Sequence, residues 1–477
     1  MSQTNLVYQV EDKPGWGKTI VFALQQLLAI MAATIAVPAI VNGATGATMS
    51  QSAALFGAGI GTLVYLLFTK FKSPVFLGSS FAFLGSMFAA FAGGVSMSVG
   101  YLGLIIGAAL AGLVYVILAL IVKFAGTKWI NKIMPPVVIG PTVAIIGLSL
   151  SGNAVGDLFT GNGSPTVSIW IALLCGLVTL FTTIVVSVFG KKFLKMIPFI
   201  FGILAGYAVA AIFTGIGYGV GNDALKVINF DLFSSAQWGK FLGGWCPDFT
   251  FLTAFSGNYD FAGGNFGAYL GTIAVAYVPV AFVVFAEHIA DHKNLSSIIG
   301  RDLLNEPGLH RTLLGDGVGS AAGALFGGCP NTTYGESVGT VAISGNASIR
   351  TIITTALLAI VLSFLLPFST FLATIPSCVM GGVCIALYGF IAVSGLKMIQ
   401  PVDLGDNRNL FVVSVILIAG VGGFTLNIAL GSNGAITITE IACALILGIL
   451  VNLIVHIGYK KKNKEQLEEK PNEEAKE

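Results

Sequence analysis

The chain has 477 residues, of which 55% are hydrophobic and only 10% are charged, whereas an average soluble domain has about 25% charged residues. This composition excludes an ordinary soluble protein, since a membrane-spanning helix needs about 20 mostly apolar residues and a soluble core needs far less apolar surface. The net charge of +2 gives no indication of a nucleic-acid partner, and we expect none. The first twenty residues contain two acids and no apolar core, so we expect no cleavable signal peptide. The six cysteines are scattered and form no metal or disulfide pattern, and we expect no cofactor.

Fourteen apolar runs, separated by charges and turn residues, predict an all-α polytopic membrane protein with fourteen transmembrane spans. In chain order, spans 1 to 14 are 19–40, 51–69, 74–92, 99–122, 134–152, 166–189, 197–216, 269–292, 310–326, 331–345, 351–366, 376–396, 409–426 and 434–458.

The basic residues support this count, because they follow the even-numbered spans. Of the 24 lysines and arginines, only Lys226 and Lys240 fall on the opposite side. By the positive-inside rule, both termini are predicted to be cytoplasmic, with tails at 1–18 and 459–477. The polar segment 217–268 is then an extracytoplasmic loop with some local structure.

The long loop separates two sets of seven spans, at 19–216 and 269–458. A duplicated unit with an odd number of spans must insert with inverted topology. One short sequence match has the register that this requires, since PPVVIG (135–140) in span 5 resembles PSCVMG (376–381) in span 12. The sequence therefore predicts two inverted seven-span repeats.

Spans 3 and 10 occupy equivalent places in the two halves, and both are short and interrupted. Span 3 contains SPVFLGSSFAFLGS and span 10 contains CPNTTYGESVGTVAIS, each with a proline, a glycine break and hydroxyl residues. Paired interrupted spans indicate a binding site near the middle of the membrane, where backbone amides freed at the breaks can donate to a polar ligand. The alternative is a pair of glycine kinks used only for helix packing.

Three acids within or at the edge of spans are candidates for the site, namely Glu287 and Asp291 in span 8 and Glu336 at the break of span 10. An ionised carboxylate inside a membrane is costly, so such residues usually mark a pathway or a site. A spacing of four places Glu287 and Asp291 on one helix face. Nearby carboxylates disfavour double ionisation, so Glu287 is a candidate to hold a proton near neutral pH. A carboxyl group that can gain or lose a proton beside a ligand is the minimum requirement for proton-coupled transport.

His288 and His292 lie on a neighbouring face of span 8. With Asp291 they form a possible metal site, but no further cluster completes it. We favour the alternative that they mark an interfacial helix end. Asp316 and Glu440 are interpreted as helix-end or capping acids.

No sequence pattern of a metalloprotease, a serine hydrolase or a phosphate-binding loop is present, which argues against an enzyme. A channel would usually show repeated filter or ring segments rather than two unlike broken spans. The residues thus favour a secondary transporter of a small polar or planar ligand.

Four segments together resemble the nucleobase–ascorbate transporter family, in its bacterial uracil permease branch. They are GSSFAF (78–83), AEHIADH (286–292), RDLLNEPGLHR (301–311) and PNTTYGESVG (330–339). The resemblance implies a core domain of spans 1–4 and 8–11, a gate domain of spans 5–7 and 12–14, and short strands of spans 3 and 10 that meet at the substrate. It also implies a proton symporter in a bacterial cytoplasmic membrane, working as a homodimer through the gate domains by an elevator movement.

By matched position, the resemblance implies that Glu287 and Glu336 accept hydrogen bonds from the ring N–H groups of uracil. The backbone N–H groups of Phe81 and Gly335 would donate to the uracil carbonyl oxygens. Proton coupling would involve Glu287 and Glu336, and we add Asp291 as a hypothesis.

The resemblance further implies that Tyr334 and Tyr388 line the pocket and that small residues near Ala32 pack on the ring. The Gly335–Glu336 pair favours uracil over xanthine or urate. Two alternatives stay open: another nucleobase permease of this family, and an anion exchanger or channel of the same architecture, for which a basic residue or a carboxylate-free pocket would be expected.

Three positions depart from the family pattern. Asp291 stands where a histidine is usual, Gln25–Gln26 replaces a Gln-His pair, and Ser337 stands where asparagine is frequent. The first departure suggests that Asp291 carries the coupled proton or a water-mediated contact in place of histidine.

Overall fold

A computed structural model describes residues 6–126, 135–191, 193–257, 259–429 and 435–457. The charged C-terminal tail predicted at 459–477 lies outside the described residues.

The described residues are mostly helical. The helices of the first half are α1 (Trp16–Thr45), α2 (Gln51–Phe68), α3 (Leu84–Phe91), α4 (Met97–Ala125), α5 (Pro136–Ser149), α6 (Ser151–Asp157), α7 (Ile169–Phe189), α8 (Phe193–Met196) and α9 (Pro198–Val220). Two short helices in the long connection are α10 (Asp231–Ser235) and α11 (Thr250–Ala254). Those of the second half are α12 (Phe266–Ile299), α13 (Leu309–Gly327), α14 (Gly335–Ser344), α15 (Ile349–Ser363), α16 (Leu366–Thr374), α17 (Ser377–Ile399), α18 (Asn407–Val421) and α19 (Glu440–Val455).

Within the described ranges, eight helices are long and apolar enough to cross a membrane. They correspond to predicted spans 1, 2, 4 to 8 and 12. The pair α15 and α16 is bent by 81° and makes a ninth span if counted as one. The protein is therefore a multi-pass membrane protein, as predicted.

Two pairs of short strands interrupt the helices. Strand β1 (Leu77–Ser79) pairs antiparallel with β2 (Asn331–Thr333), and β3 (Leu426–Ala429) pairs antiparallel with β4 (Ala435–Ile438). The β1–β2 pair requires a glycine at position 78, because a Cβ there would lie 2.3 Å from the ring of Tyr334. This pair joins predicted spans 3 and 10, which are far apart in sequence.

The helices pack in two groups. In the first group, α13 packs on α2 and α4, α12 packs on α4, and α15 packs on α1 and α2. The α2–α13 contact is close, since a Cβ on Gly57 would lie 2.4 Å from the carbonyl oxygen of Gly323. In the second group, α17 packs on α5 and α7, α9 packs on α7, and α18 packs on α5 and α19. The groups meet where α12 contacts α5 and α19, and where α1 contacts α17.

Candidate functional site

The broken spans bring two helix starts together in the interior. Register of the β1–β2 pair sets Ser79 opposite Asn331, and the next amide, of Ser80, donates to the carbonyl oxygen of Pro330 at 2.9 Å. A 3₁₀ turn then begins at Phe81, and α14 begins at Gly335. Amides in the first turn of a helix have no acceptor within that helix, so both starts can offer donors to a ligand.

A cavity of about 320 Å³ lies between the two helix groups, at the lower end of the usual range for small-molecule sites, about 300–1,000 Å³. Its polar wall contains the carboxyl groups of Glu287, Asp291 and Glu336, together with the exposed start of α14 at Gly335. The structure therefore brings together all three acids that the sequence identifies.

The opposite wall of the cavity is mainly apolar and comes from the second helix group. Val143 of α5 and Phe390, Ile391 and Met398 of α17 form most of it. A cavity with hydrogen-bonding groups on one side and apolar groups on the other suits a small planar ring with a polar edge.

Asp291 lies one helical turn from Glu287 and accepts a hydrogen bond from the Thr333 hydroxyl at 2.9 Å. Thr333 belongs to β2, so this bond connects α12 to the broken span 10. Asp291 is thus placed both at the cavity and on the strand pair.

The resemblance also implies that four other residues contact the substrate. Among the described residues, these four are not part of the cavity wall. Phe81, Tyr334, Tyr388 and Ala32 are all buried, and none of them lines the cavity. The rings of Phe81 and Tyr388 meet edge to face with centroids 5.8 Å apart. The Tyr334 hydroxyl donates to the carbonyl oxygen of Ser79 at 2.6 Å. Tyr334 thus stabilises the strand pair through Ser79, and Phe81 packs against Tyr388 of α17.

The prediction that His288 and His292 mark an interfacial helix end is wrong. Helix α12 continues to Ile299, and the relative exposures of His288 and His292 are 0% and 1%. The physical reason is that α2 and α13 cover this face and supply polar partners for both rings.

Both ring nitrogens of His288 are engaged by α13. Nδ1 lies 2.7 Å from Asp316 Oδ2, and Nε2 lies 2.9 Å from the Thr312 hydroxyl. The prediction that Asp316 is a helix-end acid is therefore also wrong, because it lies inside α13 with 1% exposure. Glu440, in contrast, is the first residue of α19, as predicted.

His292 is engaged just as completely. Its Nδ1 donates to the His288 carbonyl oxygen at 2.8 Å, and since a carbonyl only accepts, Nδ1 carries a proton. Its Nε2 lies 2.7 Å from the Tyr65 hydroxyl of α2. All four ring nitrogens are thus engaged in hydrogen bonds. No metal-binding group of three or more His, Cys, Asp or Glu residues occurs in the described part of the chain.

Sequence reasoning also missed a contact beside Glu336. The Ser337 hydroxyl accepts from Gln26 Nε2 of α1 at 2.6 Å and from the Phe76 amide at 2.9 Å. In the sequence, Ser337 follows Glu336 directly, and Gln26 and Ser337 both lie at positions that depart from the family pattern, but no sequence feature pairs the two residues.

The chain is similar to known proteins over most of its length. A family model described as "Permease family" matches residues 17–429. The chain is 39% identical to a uracil permease of Bacillus caldolyticus over 452 residues, which is 94% of both chains. It is 38% identical to a uracil permease of Bacillus subtilis (strain 168) over 459 residues, or 95% of this chain and 96% of that one.

The fold is similar to that of the transmembrane domain of the cyanobacterial bicarbonate transporter BicA. The TM-score is 0.57 at 17% identity, covering 94% of this chain and all of that one. At this identity the similarity concerns the fold alone.

Proposed function

The chain belongs to the nucleobase–ascorbate transporter family of permeases, and from this membership we propose that it imports uracil across the cytoplasmic membrane of a bacterium. The family identifies the protein as a transporter rather than an enzyme. The uracil permeases to which it is similar span nearly the whole chain, which supports the choice of substrate.

The observation that carries the proposal is the convergence of Glu287, Glu336 and the start of α14 at Gly335 on one cavity. Uracil presents two ring N–H donors and two carbonyl acceptors. In our proposal the two carboxylates accept from the N–H groups, and the Gly335 and Phe81 amides donate to the carbonyl oxygens. A ligand that lacks one of these groups leaves a buried partner unpaired, at about 1–3 kcal/mol, and this supplies selectivity.

Uptake is proposed to be proton symport, with Glu287, Glu336 and Asp291 as the proton-carrying groups. The three carboxyl groups share one half-buried wall, where full ionisation is costly. Asp291 is the candidate for the coupled proton or a water-mediated contact, since it borders the cavity and is tied to Thr333.

The transport movement is proposed to be an elevator. The first helix group acts as the core (spans 1–4 and 8–11) and the second as the gate (spans 5–7 and 12–14). Location of the cavity between the groups supports this division. In such a movement Phe81, Tyr334, Tyr388 and the region near Ala32, which are buried in this structure, would come to enclose the substrate.

The proposed architecture has fourteen spans in two inverted repeats at 19–216 and 269–458, with both termini cytoplasmic and a homodimer formed through the gate. The pairing of β1 with β2, which come from equivalent places in the two halves, supports the inverted repeat.

Uptake of labelled uracil into proteoliposomes, with and without a proton gradient, tests the proposal. Unlabelled uracil and 5-fluorouracil should compete with labelled uracil, and xanthine should not. Competition by thymine, which carries a methyl group at C5, measures whether the site has space beside that ring position. Xanthine uptake without uracil uptake would show that the substrate is a different nucleobase, transported by a member of the same family. Uracil accumulation that does not depend on the proton gradient would contradict proton symport. The acidic cavity wall gives no support to an anion exchanger.

A further inference from the structure

We propose that Ser337 and Gln26 are positioning residues of the uracil site, in which one buried hydroxyl holds Glu336 in place relative to α1 and to both broken spans. The inference deepens the proposed function and rests on it, since its readout is the affinity for the transported nucleobase.

Ser337 is the residue directly after Glu336 and has 0% exposure. Its Oγ accepts two hydrogen bonds, from Gln26 Nε2 at 2.6 Å and from the Phe76 amide at 2.9 Å. Gln26 is itself buried, with 3% exposure. A hydroxyl oxygen has two acceptor sites, and these two donors fill both of them.

The two donors come from different parts of the fold. Phe76 immediately precedes β1, and β1 pairs with β2, which leads through Tyr334 into α14. The Phe76–Ser337 bond therefore closes a ring: the two broken spans are joined once by the strand pair and again by Ser337. Within that ring Glu336 has little freedom to shift along the cavity.

Gln26 connects this ring to α1. It lies six residues before Ala32 on the same helix, a separation of about 9 Å along the axis. The amide that reaches Ser337 thus also fixes the axial position of the small-residue stretch of α1 relative to Glu336. Binding energy depends on such placement, because a carboxylate displaced by a fraction of an ångström loses much of its hydrogen bond.

Ser337→Ala removes the acceptor of two buried N–H donors, while Ser337→Thr retains it. Gln26→Met keeps the length of the side chain but removes its donor. Gln25→Met is the matched control, since Gln25 is the neighbouring residue of α1 and neither bond to Ser337 involves it.

KM and the maximal rate of uracil uptake are measured in proteoliposomes for these variants and for the Gln26→Met/Ser337→Ala double variant. We expect Ser337→Ala to raise KM about tenfold with a smaller change in maximal rate, Gln26→Met to raise it several-fold, and Ser337→Thr to stay near the wild type. The double variant should resemble Ser337→Ala alone, because Gln26 acts mainly through its 2.6 Å bond to the Ser337 hydroxyl, its second bond, to the Ser337 carbonyl oxygen, being long at 3.4 Å. Gln25→Met should leave KM unchanged.

A wild-type KM in Ser337→Ala, or effects of the two single changes that simply multiply in the double variant, overturns the inference. If Ser337→Ala does not fold, the comparison of Gln26→Met with Gln25→Met decides, and equal KM values would contradict the proposal. Glu336→Gln separates this from the proposed function. If Glu336→Gln transports uracil normally, the proposed site is wrong, whereas if only Glu336→Gln is impaired, the site stands and the positioning role falls.

Discussion

Two faces of α12, one residue apart in sequence, have opposite environments. The carboxylate face, Glu287 and Asp291, borders the cavity, whereas the histidine face, His288 and His292, is sealed against α2 and α13 with every ring nitrogen bonded. The helix supplies the same spacing to both. The difference lies in the neighbours, which complete the hydrogen bonds of one face and leave space beside the other. Polar residues inside a membrane therefore indicate a ligand only where the protein does not itself satisfy them.

Glu287→Gln should have the largest effect on transport. The amide presents a donor where the carboxylate accepts, so kcat/KM for uracil uptake should fall at least about 100-fold. Thermal unfolding in detergent without uracil should change little, because this face opens to a cavity. Normal uptake by this variant would contradict the assignment of the carboxylate face to substrate.

Asp316→Ala should have the largest effect on stability. Removing one partner of a buried charged or proton-sharing pair costs about 3–5 kcal/mol, since His288 is left without its partner at Nδ1. A large fall in the unfolding temperature is expected, and Asp316→Asn, whose amide can still hydrogen-bond to the imidazole, should fall less. A variant that unfolds like the wild type but loses uracil affinity would place the histidine face in the substrate pathway.

Tyr65→Phe should destabilise more modestly. It removes the hydroxyl that lies 2.7 Å from both His292 Nε2 and Ser73 Oγ, at a cost of about 1–3 kcal/mol. The KM for uracil should stay at the wild-type value, which distinguishes a stabilising contact from a binding one. A raised KM with unchanged stability would instead indicate that the Tyr65 hydroxyl contributes to uracil binding.

The smallest effect is expected outside both faces, at the ion pair between Glu11 and Arg301. The hydrogen bond from Arg301 lowers the pKa of Glu11 below its ordinary value of 4.5. The pair therefore contributes stability above about pH 4.5, and this contribution is lost as pH falls through the lowered pKa. Because the Glu11 and Arg301 side chains are 59% and 45% exposed, it should be worth less than about 1 kcal/mol.

Unfolding temperatures of the wild type and Arg301→Gln at pH 7 and pH 3.5 measure this contribution. The difference should be small at pH 7 and smaller at pH 3.5. If Arg301→Gln lowered the unfolding temperature as much as Asp316→Ala, the exposed Glu11–Arg301 pair would contribute as much stability as the buried His288–Asp316 pair, which would contradict this account.

The features predictable from the sequence are those with a local pattern. Apolar runs located the long helices, and the charges inside them singled out Glu287, Asp291 and Glu336, which the fold gathers around one cavity. The histidine network was not predictable, because its partners are Thr312 and Asp316 on α13 and Tyr65 on α2, 227 residues from His292. The periodicity of polar and apolar residues within α12 does not predict which of its faces a distant helix will cover.

Equilibrium binding of labelled uracil to the purified protein tests the central claim most directly, with wild type, Glu336→Gln and Asp316→Asn compared at one pH. We predict that Glu336→Gln weakens binding at least about 100-fold, while folded Asp316→Asn stays within a few-fold of the wild type. Unchanged binding by Glu336→Gln, or loss of binding by a folded Asp316→Asn, would contradict the division between a substrate face and a structural face.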